Sequence, residues 1–307
     1  MRIRVIAAVI AFGIAAQLCA APSIAHLAVI DAHALYPEGP LWWHGKLYYV
    51  EYAGNGIKVW NGKGISYFWK QMHCGPNGLV KFGKGDILVA CYDGNYLVEL
   101  NSSGRVIRTI RRDDRGRAFI GPNDLTSDGH GGIYFSASGK YDVNAPITGK
   151  VLHVSADGSR VSVVARTIDY SNGLTLTRSG RHLLVAEMLA DRILSFPVEA
   201  NGTLGVRRVW ARLQDLAAPT PDEDAYNGPD GLKLGPDGNY YIAQNGSGRV
   251  LVVSPDKKLV RIINVGTRNV TNMGFGPWGK NGFAVYITGV FNQWKPPFSG
   301  MVYRWTP

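Results

Sequence analysis

The sequence predicts an all-β chain closed into a six-bladed β-propeller, with four-stranded antiparallel blades around a central channel. Three observations carry this expectation. One hairpin pattern recurs six times; aromatic, β-branched and glycine residues are abundant; and no long apolar stripe of helical period is present. A β-sandwich of similar length is the competing fold, and it gives no reason for six copies of one pattern.

The first stretch reads as an export signal. Arg2 and Arg4 form a positive start, residues 5–18 form an apolar run short for a bilayer span, and small residues follow at Cys19, Ala20 and Ala21. Residues 1–21 are therefore expected to be a cleaved signal peptide, residues 22–307 a single propeller domain, and the mature protein periplasmic or secreted, with no membrane segment left. A retained anchor is the alternative. Leu18 is too bulky for a lipoprotein signal ending at Cys19. The formal net charge is +10, about +8 without the leader's two arginines, and the positive charges are scattered. The densest group, residues 105–117, also holds Asp113 and Asp114, so neither a basic face nor a recognisable module marks a nucleic-acid partner. Cys74 and Cys91 flank one predicted hairpin. An oxidising compartment permits a disulfide between them, and two unpaired small apolar residues fit the sequence equally well.

The repeat opens at Glu38 (EGPLWWHGKLYYV), Asn77 (NGLVKFGKGDILVA), Asn123 (NDLTSDGHGGIYFS), Asn172 (NGLTLTRSGRHLLVA), Asp230 (DGLKLGPDGNYYIA) and Asn272 (NMGFGPWGKNGFAVYIT). Each copy is a polar residue, a strand, a glycine-containing turn and a second strand rich in Ile, Leu, Val and Tyr. Third and fourth strands follow, as in RVLVVSPD from Arg249 and LVRIINVG from Leu259. Four strands at a period of about forty residues mark propeller blades. The segment HLAVIDA, before the first opening, is expected to supply the outer strand of the last blade and close the ring. The string Gly274, Gly276, Gly279 has a dinucleotide-loop spacing, but a strand follows it rather than a helix, so it reads as a hairpin turn.

Inner strands line a propeller's channel, so the six opening residues are expected to meet at one axis. Glu38 and Asp230 offer carboxylates, and Asn77, Asn123, Asn172 and Asn272 offer amide oxygens, with no histidine or cysteine among them. Hard oxygen donors suit Ca²⁺ or Mg²⁺, and two carboxylates balance one divalent ion. Taken singly, each Asn or Asp before Gly is equally well read as a turn residue. For Glu38 and Asp230 that reading is weaker, because a carboxylate in a channel needs a cation.

On the EGP of residues 38–40, the ND of 123–124, the NGL of 172–174 and the DGL of 230–232, the chain resembles the regucalcin/gluconolactonase/luciferin-regenerating-enzyme family, and also the squid-type calcium-dependent fluorophosphatase. The resemblance implies one catalytic divalent metal, expected to be Ca²⁺ with Mg²⁺, Zn²⁺ or Mn²⁺ as alternatives, held by Glu38, Asn172 and Asp230. Asn123 would bind metal or substrate, Asn77 and Asn272 are placed as substrate contacts, and Asp230 is the catalytic base or nucleophile. The expected partner is a small lactone or ester. Regucalcin-like sugar lactonases carry an arginine two residues before the ND asparagine; here Gly121 stands there, which speaks against a polar sugar-acid substrate. Trp42, Trp43, Trp69 and Trp294 are read either as an apolar pocket or as packing between blades. The loop at residues 214–227, with its acidic run at 222–224, leads into Asp230 and is read as a solvated insertion or as a specificity loop at the channel mouth. No Gly-x-Ser-x-Gly elbow or His-x-x-x-His pair occurs. A non-enzymatic binding propeller and a strictosidine-synthase-like propeller are the rival functions.

Overall fold

A computed structural model describes residues 26–221 and 224–307; the leader and cysteine expectations at 1–21, and Asp222 and Glu223 of the acidic run, lie outside the described residues. Six four-stranded antiparallel sheets form six blades. The chain enters through β1 (His26–Leu35) and then builds a first blade from β2 (Pro37–Trp43), β3 (Lys46–Glu51), β4 (Gly56–Trp60) and β5 (Ile65–Lys70). The second holds β6 (Pro76–Phe82), β7 (Asp86–Cys91), β8 (Tyr96–Leu100) and β9 (Val106–Ile110), and the third β10 (Pro122–Ser127), β11 (Ile133–Ala137), β12 (Gly149–Val154) and β13 (Val161–Ile168). The fourth holds β14 (Ser171–Leu176), β15 (His182–Glu187), β16 (Arg192–Pro197) and β17 (Arg208–Arg212), and the fifth β18 (Gly228–Leu234), β19 (Tyr240–Asn245), β20 (Arg249–Val253) and β21 (Leu259–Asn264). The sixth combines β22 (Asn269–Trp278), β23 (Gly282–Val290) and β24 (Ser299–Thr306) with β1, which pairs antiparallel to β24. The first strand thus closes the ring as the sequence predicts, and the glycine string at 274–279 forms the β22–β23 hairpin.

Closure is reinforced by ions. Asp31 of β1 accepts hydrogen bonds from Tyr49 Oη (2.6 Å) and Lys58 Nζ (3.1 Å), so the last blade is tied to the first. The buried Glu51 accepts from Leu35 N and Tyr67 Oη and pairs with Lys58 at 2.8 Å. One apolar cluster fills each of the six blade interfaces. Trp43 and Trp69 are buried in the interface of blades 1 and 2, and Trp42 stacks on Tyr286 at 5.5 Å, so these three tryptophans are packing residues. Cys74 and Cys91 form a disulfide across a separation of 17 residues, joining the approach to β6 with the end of β7.

Two local features aim the opening residues at the axis. Every inner strand has a register shift at its opening motif: 38/41, 76/78, 122/125, 171/174, 229/232 and 270/272. A bulge re-aims the side chain and bends the strand. Glycine then lets neighbouring inner strands touch. A Cβ on Gly78 would stand 2.5 Å from Asn123 O, and one on Gly173 would overlap Leu232 N and Asp230 O, which are backbone atoms that cannot yield. The asparagine–glycine motifs are therefore devices of the channel wall as well as turn chemistry. We expect Gly173→Ala to destabilise the protein by more than 2 kcal/mol, a typical figure for overpacking being about 1–3 kcal/mol; urea unfolding of the two proteins measures it.

Candidate active site

A cavity of about 220 Å³ lies around the start of the inner strands. Glu38, Asn77, Asn123, Asn172 and Asp230 all line it, joined by Asn245 from the end of β19. The sixth opening residue does not line it: Asn272 points at Asp124, 3.4 Å from Nδ2 to Oδ2, and hydrogen-bonds Glu38. Tyr36, Tyr52, Tyr92, Tyr141 and Tyr170 form the wall, with Met188, Gln293, Trp294 and Phe298.

The polar contacts leave specific gaps. Asn77 Nδ2 donates to Asn123 Oδ1 at 2.7 Å, and Asn245 Nδ2 donates to Asp230 Oδ2 at 3.1 Å. Asn172 Nδ2 faces Met188 Sδ at 3.3 Å. Asn172 Oδ1 and Asn245 Oδ1 are buried acceptors without a partner among the described residues. An unmet buried acceptor is costly and rare in a folded protein.

The charges have a gap too. Asp124 is held by Lys233, whose Nζ lies 2.8 and 2.7 Å from its two oxygens. Among the described residues no ion pair reaches Glu38 or Asp230, which are 3 % and 5 % exposed. Burial, with Asp230 and Asp124 nearby, pushes the Glu38 carboxyl well above the carboxylate range, against the hydrogen bonds of Gly39 and Asn272. Burial pushes Asp230 up to about 8, opposed by Asn245, reinforced by Asp124 and opposed again by Asn172. Two buried acids, each pushed toward its protonated form, beside two unfilled amide oxygens, form a donor set suited to a hard divalent cation. Among the described residues no group of three or more His, Cys, Asp and Glu side chains is placed to hold a metal, so any such set here would have to draw on amide oxygens as well.

The wall is tightly built. The rings run in sequence from Phe298 to Tyr36 (6.0 Å), Tyr52 (5.3 Å) and Tyr92 (6.1 Å). From there Tyr170 Oη donates to Tyr92 Oη at 3.0 Å, Tyr170 packs on Tyr141 at 4.6 Å, and Tyr141 stacks on Trp294 at 5.5 Å. Trp294 is thus a residue of the cavity rim, unlike the other three tryptophans. The loop before Asp230 also reaches the rim, since Tyr226 O accepts from Tyr141 Oη and its ring meets Trp294. At Gly121, φ is 61° and the Tyr92 ring lies 2.9 Å from where a Cβ would stand. Tyrosine occupies the space that a side chain at 121 would need.

Several cavity residues escape a reading confined to repeat openings. Asn245, Tyr52, Tyr92 and Met188 share one step of the repeat: each follows the residue paired with the one before the opening, namely Gln244, Glu51, Cys91 and Glu187. Applying the repeat to the second strand's exit locates all four.

A family model described as the SMP-30/Gluconolactonase/LRE-like region matches residues 36–290. The chain belongs to this family. Lactonase drp35 of Staphylococcus aureus (strain USA300) is 29% identical over 181 residues, 56% of this chain and 52% of that protein, so the match spans about half of each. The family's solved structures share the fold: a gluconolactonase from Xanthomonas campestris (TM-score 0.74, 21% identity, 92% of this chain and 89% of that one) and a calcium-binding regucalcin from Agrobacterium tumefaciens (TM-score 0.69, 16% identity, 90% and 92%).

An acid whose pKa is raised on folding keeps a proton that the unfolded chain gives up. The metal-free protein should therefore lose stability as pH rises from about 4 to about 8, the window set by Asp230. Chelator-treated protein should show a falling Tm across that range, and Asp230→Asn should reduce the fall, leaving the part that the raised Glu38 carboxyl causes.

Proposed function

We propose that the protein is a divalent-metal-dependent hydrolase of lactones or related esters, with calcium as its natural ion. The observation that carries this is the pair of uncompensated buried carboxylates beside unfilled amide oxygens in one cavity. Glu38, Asn172 and Asp230 would hold the ion, with Asn123 and Asn245 facing the same space. When bound, a divalent cation supplies Lewis-acid stabilisation of the charge that develops on an ester oxygen. Asp230, ionised, is the base that takes a proton from the attacking water and returns it to the leaving oxygen. Asn245 fixes the orientation of that carboxylate through its 3.1 Å hydrogen bond. The aromatic wall limits water around the reacting group. The names of the relatives, a lactonase, a gluconolactonase and a calcium-binding regucalcin, support both the reaction class and the ion. The leader read at 1–21 supports a periplasmic or secreted location.

The wall also bears on substrate. The hydroxyls of Tyr52, Tyr92, Tyr141 and Tyr170 are bonded to Asp93, Gly139, Tyr226 and Tyr92, so these residues offer rings rather than free donors. A polyhydroxylated lactone would leave hydroxyls unmatched, at about 1–3 kcal/mol each. An unsubstituted δ-lactone should therefore exceed glucono-δ-lactone in kcat/KM by about tenfold or more.

The deciding experiment is a hydrolysis screen of lactones, aryl esters and phosphotriesters with Ca²⁺ and with chelator. Turnover should require the metal, Ca²⁺ should raise the Tm, and Asp230→Asn should lower kcat by about 10²–10⁴. Chelator-resistant turnover, or an Asp230→Asn variant as active as the parent, would overturn the proposal.

A further inference from the structure

Tyr36 shares a left-handed backbone with Tyr170 and Phe298 of the aromatic wall. It lies two residues before Glu38, at φ 51°; the equivalent step is glycine in blades 2 and 3, at φ 51° (Gly75) and 61° (Gly121), and again tyrosine in blade 4, at φ 56° (Tyr170). The repeat thus asks for a left-handed residue here, and a bulky side chain in that conformation is a marked outlier. Strained residues of this kind persist where the surroundings over-determine them, commonly at active sites. The surroundings do so here. Tyr36 N donates to Phe298 O at 2.8 Å, Tyr36 O accepts from Tyr52 N at 3.0 Å, and its ring packs between those of Tyr52 and Phe298.

What distinguishes Tyr36 is chemical. The other four wall tyrosines donate their hydroxyls to protein atoms, whereas the Tyr36 hydroxyl has no hydrogen-bond partner among the described residues. It belongs to the same cavity as Glu38 and Asp230. The wall therefore presents one free phenol, on a pinned ring, to the space where a substrate's ester group would meet the two carboxylates. We propose that Tyr36 is a catalytic residue whose hydroxyl donates a hydrogen bond to an oxygen of the scissile ester, strengthening as that oxygen gains charge. This rests on the hydrolase reading above. No proton is transferred in this role, because the phenol keeps its hydrogen throughout.

The test is Tyr36→Phe, which removes one oxygen and leaves the ring. With saturating Ca²⁺, kcat should fall about a hundredfold, while KM, the Tm and the rise in Tm on adding Ca²⁺ stay at the parent's values. A purely structural tyrosine would shift the last three. Esters of graded leaving-group pKa locate the oxygen: a uniform loss places the donor at the carbonyl oxygen, and a loss that grows with leaving-group pKa places it at the leaving oxygen. If the parent hydrolyses the panel and Tyr36→Phe matches its kcat, the role of Tyr36 is wrong and the hydrolase reading stands. A parent inactive on the whole panel overturns both.

Discussion

Crowding at the channel axis is the constraint from which the rest of this structure follows. Six inner strands converge there, and every neighbouring pair except β10 and β14 approaches closely enough that a glycine position has no room for a Cβ. The bulge at every opening is the geometric answer, since it turns one side chain per blade toward the axis while the rest of the strand returns to its ladder. One act of folding therefore closes the ring and gathers polar side chains from positions as distant as 38 and 230. The concentration of oxygen atoms at the centre is a consequence of the architecture, and what the sequence varies is which oxygen each blade contributes.

Charge is distributed unevenly among those contributions. In blade 3 the residue after the opening is Asp124 rather than glycine, and its carboxylate is neutralised by Lys233 from blade 5. Three carboxylates and one ammonium in the same channel leave two negative charges uncompensated when all are ionised. The lysine is already committed to Asp124, so Glu38 and Asp230 must keep protons or receive a cation from outside. The same Lys233–Asp124 pair keeps its ammonium away from the cavity, where it would compete with a bound metal.

Repetition makes the fold legible in the sequence, because six weak hairpin signals at corresponding spacing reinforce one another. Five of the six opening residues reach one cavity for the same reason. Asn272 departs because Asp124, from another blade, captures its amide, and no periodic pattern encodes a partner 148 residues away. The Asp124–Lys233 pair spans 109 residues and is equally silent in the sequence. Spacing alone does not encode the disulfide, since a hairpin that brings two cysteines near each other does not force them to bond. Of the four tryptophans that fit either blade packing or an apolar pocket, Trp42, Trp43 and Trp69 fill blade interfaces, and the cavity is walled mainly by tyrosines at blade junctions. Those tyrosines look unremarkable in sequence because what distinguishes them, the partner of each hydroxyl, is set entirely by tertiary structure.

The wall and the floor of the site are stabilised in opposite senses. Ring packing and hydroxyl bonds from Phe298 round to Trp294 favour the folded state without any ligand. The floor does the reverse: two protonated or repelling acids and two orphaned amide oxygens oppose folding until something occupies them. Left-handed tyrosines at 36 and 170 add strain of about 1–3 kcal/mol each at the boundary between the two. Such an arrangement persists because the six blade interfaces contribute an excess of apolar burial, which leaves the axis free to hold groups that are unfavourable alone. A ligand that satisfies the floor then binds a site already shaped for it, with little reorganisation required of the surrounding ring.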